Sequence, residues 1–96
     1  MLFHVTHTHN ELTCPIHDDE TLLGSFGKVL SSLKANGVDV LSAMVDGPGH
    51  QLFFVIETES ADAIHEGFKP IIDRGTARIQ PVVDLQARIQ DISGSD

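Results

Sequence analysis

The stretch VDVLSAMVDGPGHQLFFVIET, residues 38–58, decides the fold. Its two halves are rich in apolar and β-branched residues, which favour β-strands. Between them, the run Asp46-Gly47-Pro48-Gly49 has the residue types of a sharp reversal. We therefore predict an antiparallel hairpin with strands at residues 38–45 and 51–58.

A helix is predicted on each side of this hairpin. Before it, either Asp18 or Asp19 can cap a helix, and Gly37 can take the left-handed position at its end. After it, Ser60 can cap a second helix, and Pro70 is expected to loosen the last turns. The apolar residues at helical spacing are Leu22, Leu23, Phe26, Val29, Leu30 and Leu33 in the first helix, and Ile64, Phe68, Ile71 and Ile72 in the second.

Two further strands are predicted at the outer ends of this pattern. Residues 2–9 alternate in the manner of a half-buried strand. Residues 77–84 form the last strand, which belongs at a sheet edge because Pro81 cannot donate a backbone hydrogen bond. The apolar spacing within residues 85–92 predicts a short terminal helix, followed by a frayed tail at residues 93–96.

The predicted order of elements is β-α-β-β-α-β, which is typical of the split-βαβ or ferredoxin-like fold of the α+β class, with an antiparallel sheet. We expect one such domain over residues 1–92. Both helices would cover the same face of the sheet, yet residues 38–41 and 52–56 are largely apolar on both sides. The other face then needs a partner, so we predict a homodimer in which sheets pack face to face and residues 85–92 reach across.

The chain resembles the dimeric α/β-barrel superfamily over nearly its whole length. The resemblance rests on the opening strand at residues 2–8, the Gly47-Pro48-Gly49 hairpin, the helix opening at residues 60–66 and the closing strand near residues 79–82. It implies ferredoxin-like subunits that share a barrel, and it is closest to small stand-alone members without an assigned reaction. Better-understood relatives include cofactor-independent monooxygenases, lactone isomerases and haem-degrading enzymes, and some ferredoxin-like dimers bind a metal through histidines. Fold alone does not choose among these functions.

Composition narrows the classes of partner. The 96 residues carry 14 acidic and 6 basic side chains, and the formal charge of −8 repels nucleic-acid backbones and anionic lipids. No apolar run approaches the ~20 residues needed to cross a bilayer. The single cysteine cannot form an internal disulfide. We therefore expect a soluble cytoplasmic protein that binds neither nucleic acid nor membrane.

The first 17 residues contain four of the six histidines and the only cysteine. Strand alternation places His7 and His9 on one side, with attachment points roughly 6.6 Å apart, so that two imidazoles can converge on one ion. Cys14 and His17 form a Cys-x-x-His loop whose side chains can face a common centre. The sequence therefore predicts a metal site with His7, His9, Cys14 and His17 as ligands.

Imidazole nitrogen combined with thiolate favours zinc or copper, with nickel also compatible. If only three of the four residues bind, the open position admits water or substrate, and the ion can act as a Lewis acid. His50, Asp18 and Asp19 are candidates to replace a ligand or to support the ligands through hydrogen bonds.

Two other functions stay open at this point. In a metal-free enzyme of the monooxygenase or isomerase type, His7 or His9 would act as a general base toward an activated carbon. A regulatory or scaffolding dimer without a ligand would use these histidines only structurally. Haem is not favoured. His65 is the only histidine placed like the axial ligand of the haem-degrading relatives, and its neighbour Glu66 suggests that this part of the helix faces solvent.

Overall fold

The computed structural model describes residues 1–94. It has an α+β fold in which four strands form one open antiparallel sheet in the order β2-β3-β1-β4, where the strands are β1 (Leu2–Thr8), β2 (Asp39–Asp46), β3 (Gln51–Glu57) and β4 (Thr76–Val82). The helices are α1 (Asp19–Gly24), α2 (Phe26–Ala35), α3 (Ala61–Gly67) and α4 (Leu85–Ser93), and a short 3-10 helix spans Lys69–Ile71.

The register of the sheet decides which side chains meet the helices. β1 lies between β3 and β4, and His7 is opposite Leu52 on one side and Ala77 on the other. Because successive side chains of a strand point to opposite faces, Val5 and His7 share one face, and both are buried. The core lies between this face and the helices, and its buried apolar residues are Val5, Val29, Leu33, Val38, Leu52, Phe54, Ile56, Ile64, Phe68 and Ile71.

The predicted hairpin is confirmed, since β2 and β3 pair across the turn at residues 46–49. The Asp46 carboxylate accepts a hydrogen bond from the Gly49 backbone N–H at 3.0 Å, which closes the turn. The edge position predicted from Pro81 is also confirmed, because within residues 1–94 β4 pairs only with β1.

The second predicted helix divides where proline interrupts it. Ser60 caps α3 as predicted, its hydroxyl accepting from the Ala63 N–H at 3.1 Å. The α-helix ends at Gly67, and the chain continues as the 3-10 helix that contains Pro70. Proline lacks the N–H that an α-helix interior requires, which accounts for this change.

The prediction of one continuous first helix is wrong. Asp18 caps α1 by accepting from the Thr21 N–H, but α1 ends after six residues and α2 begins at Phe26. At the break, the Ser25 hydroxyl donates to the Thr21 carbonyl at 2.6 Å, and the Ser25 backbone leaves the helical region with φ −121° and ψ −84°. Serine hydroxyls compete in this way with the backbone for helical carbonyls.

The opposite face of the sheet carries no helix among the described residues, and α4 contributes nothing to the core. Asp84 caps α4, whose apolar residues Leu85, Ile89 and Ile92 are all more than half exposed. Ser93 is the last residue of α4, so the predicted tail begins one residue later, and residues 95–96 lie outside the described part. Within residues 1–94, no helix has the length and apolar character that spanning a membrane requires.

Candidate metal centre

The end of β1 meets the hairpin turn. β1 ends at Thr8, but the next residue continues the pairing, because the His9 N–H donates to the His50 carbonyl at 2.9 Å. His50 follows the turn with φ +56°, a left-handed conformation that is uncommon outside glycine, and its N–H donates to the Gly47 carbonyl at 3.1 Å. Sheet pairing therefore places the two histidines side by side, although 41 positions separate them in the sequence.

The loop after β1 folds back onto the same place. The Asn10 side chain accepts from the Leu12 N–H at 2.8 Å, and the Asn10 carbonyl accepts from the Cys14 N–H at 2.9 Å. Asparagine favours such turns because its side chain substitutes for a backbone acceptor. The turn returns Cys14 toward the end of β1, where this residue is partly buried.

His9, Cys14 and His50 form a group that is able to hold a metal ion. One ligand atom from each residue lies within 4.8 Å of the other two. In a tetrahedral zinc site with bonds of about 2.0–2.3 Å, neighbouring ligand atoms lie about 3.5 Å apart. The group therefore has to contract by at most about 1.3 Å around an ion, a distance within the reach of side-chain rotation. Three such ligands leave a fourth position for water or another molecule.

Two ring nitrogens of this group lack partners. Among residues 1–94, neither His9 Nδ1 nor His50 Nδ1 has a hydrogen-bond partner, and both atoms are buried. His9 is only 8% exposed, with its ring 5.3 Å from the His50 ring and 5.0 Å from Phe26 between ring centres. A buried polar atom without a partner costs about 1–3 kcal/mol. An ion bound to such an atom removes this cost.

The charge state of the group suits metal binding. Burial lowers the pKa of His9 below its ordinary value, and the neighbouring His7 and His50 lower it further. The ring of His9 is therefore neutral at neutral pH. A metal ligand must be neutral imidazole, so this histidine does not have to lose a proton before it binds an ion.

His7 lies behind the group and has a different environment. It is 2% exposed, its Nε2 donates to the Ile71 carbonyl at 3.2 Å, and its ring centre is 5.9 Å from that of His9. Burial lowers the pKa of His7, while the hydrogen bond to Ile71 acts in the opposite direction. Gly75 makes this packing possible, because a Cβ atom there would overlap the Thr8 carbonyl and lie 3.0 Å from His7 Cε1.

The remaining sequence-predicted residues lie apart from the group. His17 is exposed, three residues beyond Cys14. Asp18 caps α1 through Thr21, and this hydrogen bonding lowers the pKa of Asp18. Asp19 is an exposed residue of the first turn of α1. Of the four predicted ligands, the structure brings His9 and Cys14 together, and it adds His50, which the sequence indicated only as a replacement.

A pocket of about 210 Å³ adjoins the group, with His9 and Cys14 in its wall. The rest of its lining is apolar apart from backbone, and it comes from the loop after β1, from α1 and α2, and from the hairpin. The group therefore lies at the boundary between the buried core and a small cavity. A molecule in this cavity would contact the ligand side chains directly.

Comparison with known proteins assigns the family but no activity. No curated protein matches the chain. One family description, DUF3303, a domain of unknown function, matches residues 1–93. This match covers every strand and helix of the fold and all three residues of the candidate centre. The chain belongs to the DUF3303 family.

Proposed function

We propose that this protein binds one transition-metal ion per chain through His9, Cys14 and His50, and that it presents the ion to a small molecule. The observation that carries the proposal is the convergence of three metal-compatible atoms within 4.8 Å, two from the loop after β1 and one from the hairpin. The Nδ1 atoms of His9 and His50 are buried without partners among residues 1–94, as is that of His7 behind them, and an ion bound by the group can satisfy the first two. Catalytic zinc sites have the same plan of three protein ligands and one exchangeable position.

The proposed ion is zinc, copper or nickel. A thiolate with two imidazoles suits these ions, whereas magnesium and calcium prefer oxygen ligands. The role also requires Cys14 as a thiolate, which fits the reducing cytoplasm that we propose as the location of the protein.

The proposed ligand set differs from the set predicted from the sequence by the removal of His7 and His17 and the addition of His50. Both sets contain His9 and Cys14. His50 is favoured in place of His7 and His17 because the group whose ligand atoms converge within 4.8 Å contains His50 and neither of the other two, and because His17 is exposed. The sequence-derived set remains the competing proposal, and variants of the disputed histidines separate the two.

Elemental analysis of protein made without a histidine tag tests the function, followed by zinc competition with a chromophoric chelator. We expect about one ion per chain and a loss of at least tenfold in zinc affinity for His50→Ala. His17→Ala and the exposed control His65→Ala should stay within about twofold of the parent.

A tenfold loss for His17→Ala with no change for His50→Ala would restore the sequence-derived set. Protein that takes up no zinc, copper or nickel would refute the proposal. If activity toward an activated organic compound survives a chelator but is lost in His9→Ala, the metal-free general base becomes the better account.

We also propose that the fold is ferredoxin-like and that the chain forms a homodimer through the helix-free face of the sheet. The order β2-β3-β1-β4 with antiparallel pairing is that of a split-βαβ sheet. By register, Met44, Phe53 and Val55 share the helix-free face, and Met44 is 67% exposed. The apolar residues of α4 are exposed as well, so a second copy would bury both surfaces.

Sedimentation analysis of the parent and of Val55→Lys tests the dimer. We expect a dimer at micromolar concentration that the lysine dissociates, because it places a charge in the packed sheet interface. Leu12→Lys, in an exposed loop, is the control and should remain dimeric. A parent protein that sediments as a monomer would refute the dimer without affecting the metal site.

A further inference from the structure

The pocket beside the candidate metal centre is the feature from which a substrate class can be inferred. Its volume is about 210 Å³, which is below the ~300–1,000 Å³ usual for drug-sized ligands. The side chains of Ile16, Leu22, Phe26, Val45 and Leu52 line it, together with those of His9 and Cys14. The metal ligands thus supply the polar end of an otherwise apolar cavity.

A second apolar cavity extends this space. It has a volume of about 160 Å³ and shares Phe26, Val45 and Leu52 with the first. From there it continues between α2 and β2, where Val29 and Ala43 are among its lining residues. The two cavities adjoin at these three shared residues, and we call them together the groove.

The charge of the metal centre indicates which chemical group of a bound small molecule would contact the ion. A divalent ion bound by one thiolate and two neutral imidazoles has a net charge of +1. The apolar walls offer no side chain to balance a second charge. A single negative group at the open position neutralises the centre, and an aliphatic tail fills the groove without leaving polar groups unpaired.

We propose that the site takes a short aliphatic monocarboxylate, with the carboxylate on the metal ion and the hydrocarbon chain in the groove. This inference rests on the proposed metal function. At about 30 Å³ per water-sized group, the first cavity holds roughly seven non-hydrogen atoms. Butyrate has six such atoms and hexanoate has eight, so these acids match the cavity, whereas acetate has four and leaves the apolar part of it largely unfilled.

Cobalt-loaded protein titrated with acetate, butyrate and hexanoate tests the proposal through the visible absorption bands of the cobalt ion. Each buried methylene is expected to tighten binding by about fourfold, so butyrate should bind at least about tenfold more tightly than acetate. Ile16→Asn is expected to reduce this ratio by about threefold or more, because it removes an apolar wall. Leu12→Asn, in the same loop but outside the pocket, should leave the ratio unchanged.

The outcomes separate this inference from the function on which it rests. Cobalt binding without any spectral response to the three acids would overturn the inference and leave the metal site intact. Equal affinity for acetate and hexanoate would also overturn it, since the groove would then play no part. Protein that binds no cobalt would remove both proposals.

Discussion

His7 and His9 lie two residues apart on one strand, yet they belong to different regions of the molecule. The ring of His7 is buried in the core, and its Nε2 donates a hydrogen bond to the Ile71 carbonyl. The ring of His9 meets Cys14, from the loop that follows, and His50, from a segment distant in the sequence. Strand spacing gives two side chains a common face, but the neighbours that the fold supplies decide what each one can do.

Replacement of His7 should have the largest effect on stability. His7→Ala removes a buried ring and leaves a cavity, so we expect it to lower the free energy of unfolding of metal-free protein by about 2–4 kcal/mol. His9→Ala should cost less, because His9 is less deeply buried, at 8% against 2% exposed, and it makes no hydrogen bond like that of His7 Nε2 to the Ile71 carbonyl. Urea denaturation measures both values. Equal losses would contradict the difference between the two environments.

In the stabilisation that zinc provides, replacement of His9 should have a larger effect than replacement of His7. At free zinc 100-fold above the dissociation constant, the parent should gain about 2.7 kcal/mol of unfolding free energy. His9→Ala should lose most of this gain, because its side chain is a proposed ligand. His7→Gln should retain most of it. Thermal or urea unfolding with and without zinc gives the comparison, and a gain that depends on His7 but not on His9 would refute the proposed assignment.

The loss of the helix cap at Asp18 should have a smaller effect. Asp18→Ala is expected to cost about 1 kcal/mol, since the carboxylate caps α1, whereas Asp18→Asn keeps an acceptor and should cost less. Neither change should alter zinc affinity, because Asp18 lies outside the three-residue group. A marked loss of zinc affinity in both variants would make Asp18 a ligand.

The pH dependence of metal-free protein provides a finer test. Burial lowers the pKa of His7 in the folded state, so the unfolded chain binds its proton first as the pH falls below about 6.5. The contribution of His7 to the free energy of unfolding should therefore be constant above this pH and decrease below it, toward the folded-state pKa. His7→Gln should make the decrease shallower and leave the part due to His9, whose pKa is lowered as well, whereas the exposed control His65→Gln should leave the decrease unchanged. The same slope in all three proteins would contradict this origin.

Much of the sheet was predictable because local chemistry decides it. The turn at residues 46–49 and the edge position of Pro81 follow from residues whose backbone preferences are strong. Ser60 was identified as a cap for the same reason. The break at Ser25 was missed, because the apolar spacing continues across it and a serine within a helix does not by itself predict an interruption.

The candidate centre was only half predictable. His9 and Cys14 are close in sequence, and the concentration of histidine and cysteine in the first 17 residues pointed to them. His50 required the register of two strands, since extending the pairing of Thr8 with Gln51 by one residue places His50 opposite His9. The separation of His7 from the group depends on Ile71 and Gly75, which reach it only through tertiary packing.

The most direct test is a crystal structure of zinc-loaded protein with anomalous diffraction recorded on both sides of the zinc absorption edge. The account predicts one zinc peak per chain, bonded to His9, Cys14 and His50 at about 2.0–2.3 Å, with a non-protein ligand in the fourth position. A zinc ion bonded to His7 or His17 instead of His50, or the absence of any zinc peak near the end of β1, would contradict it.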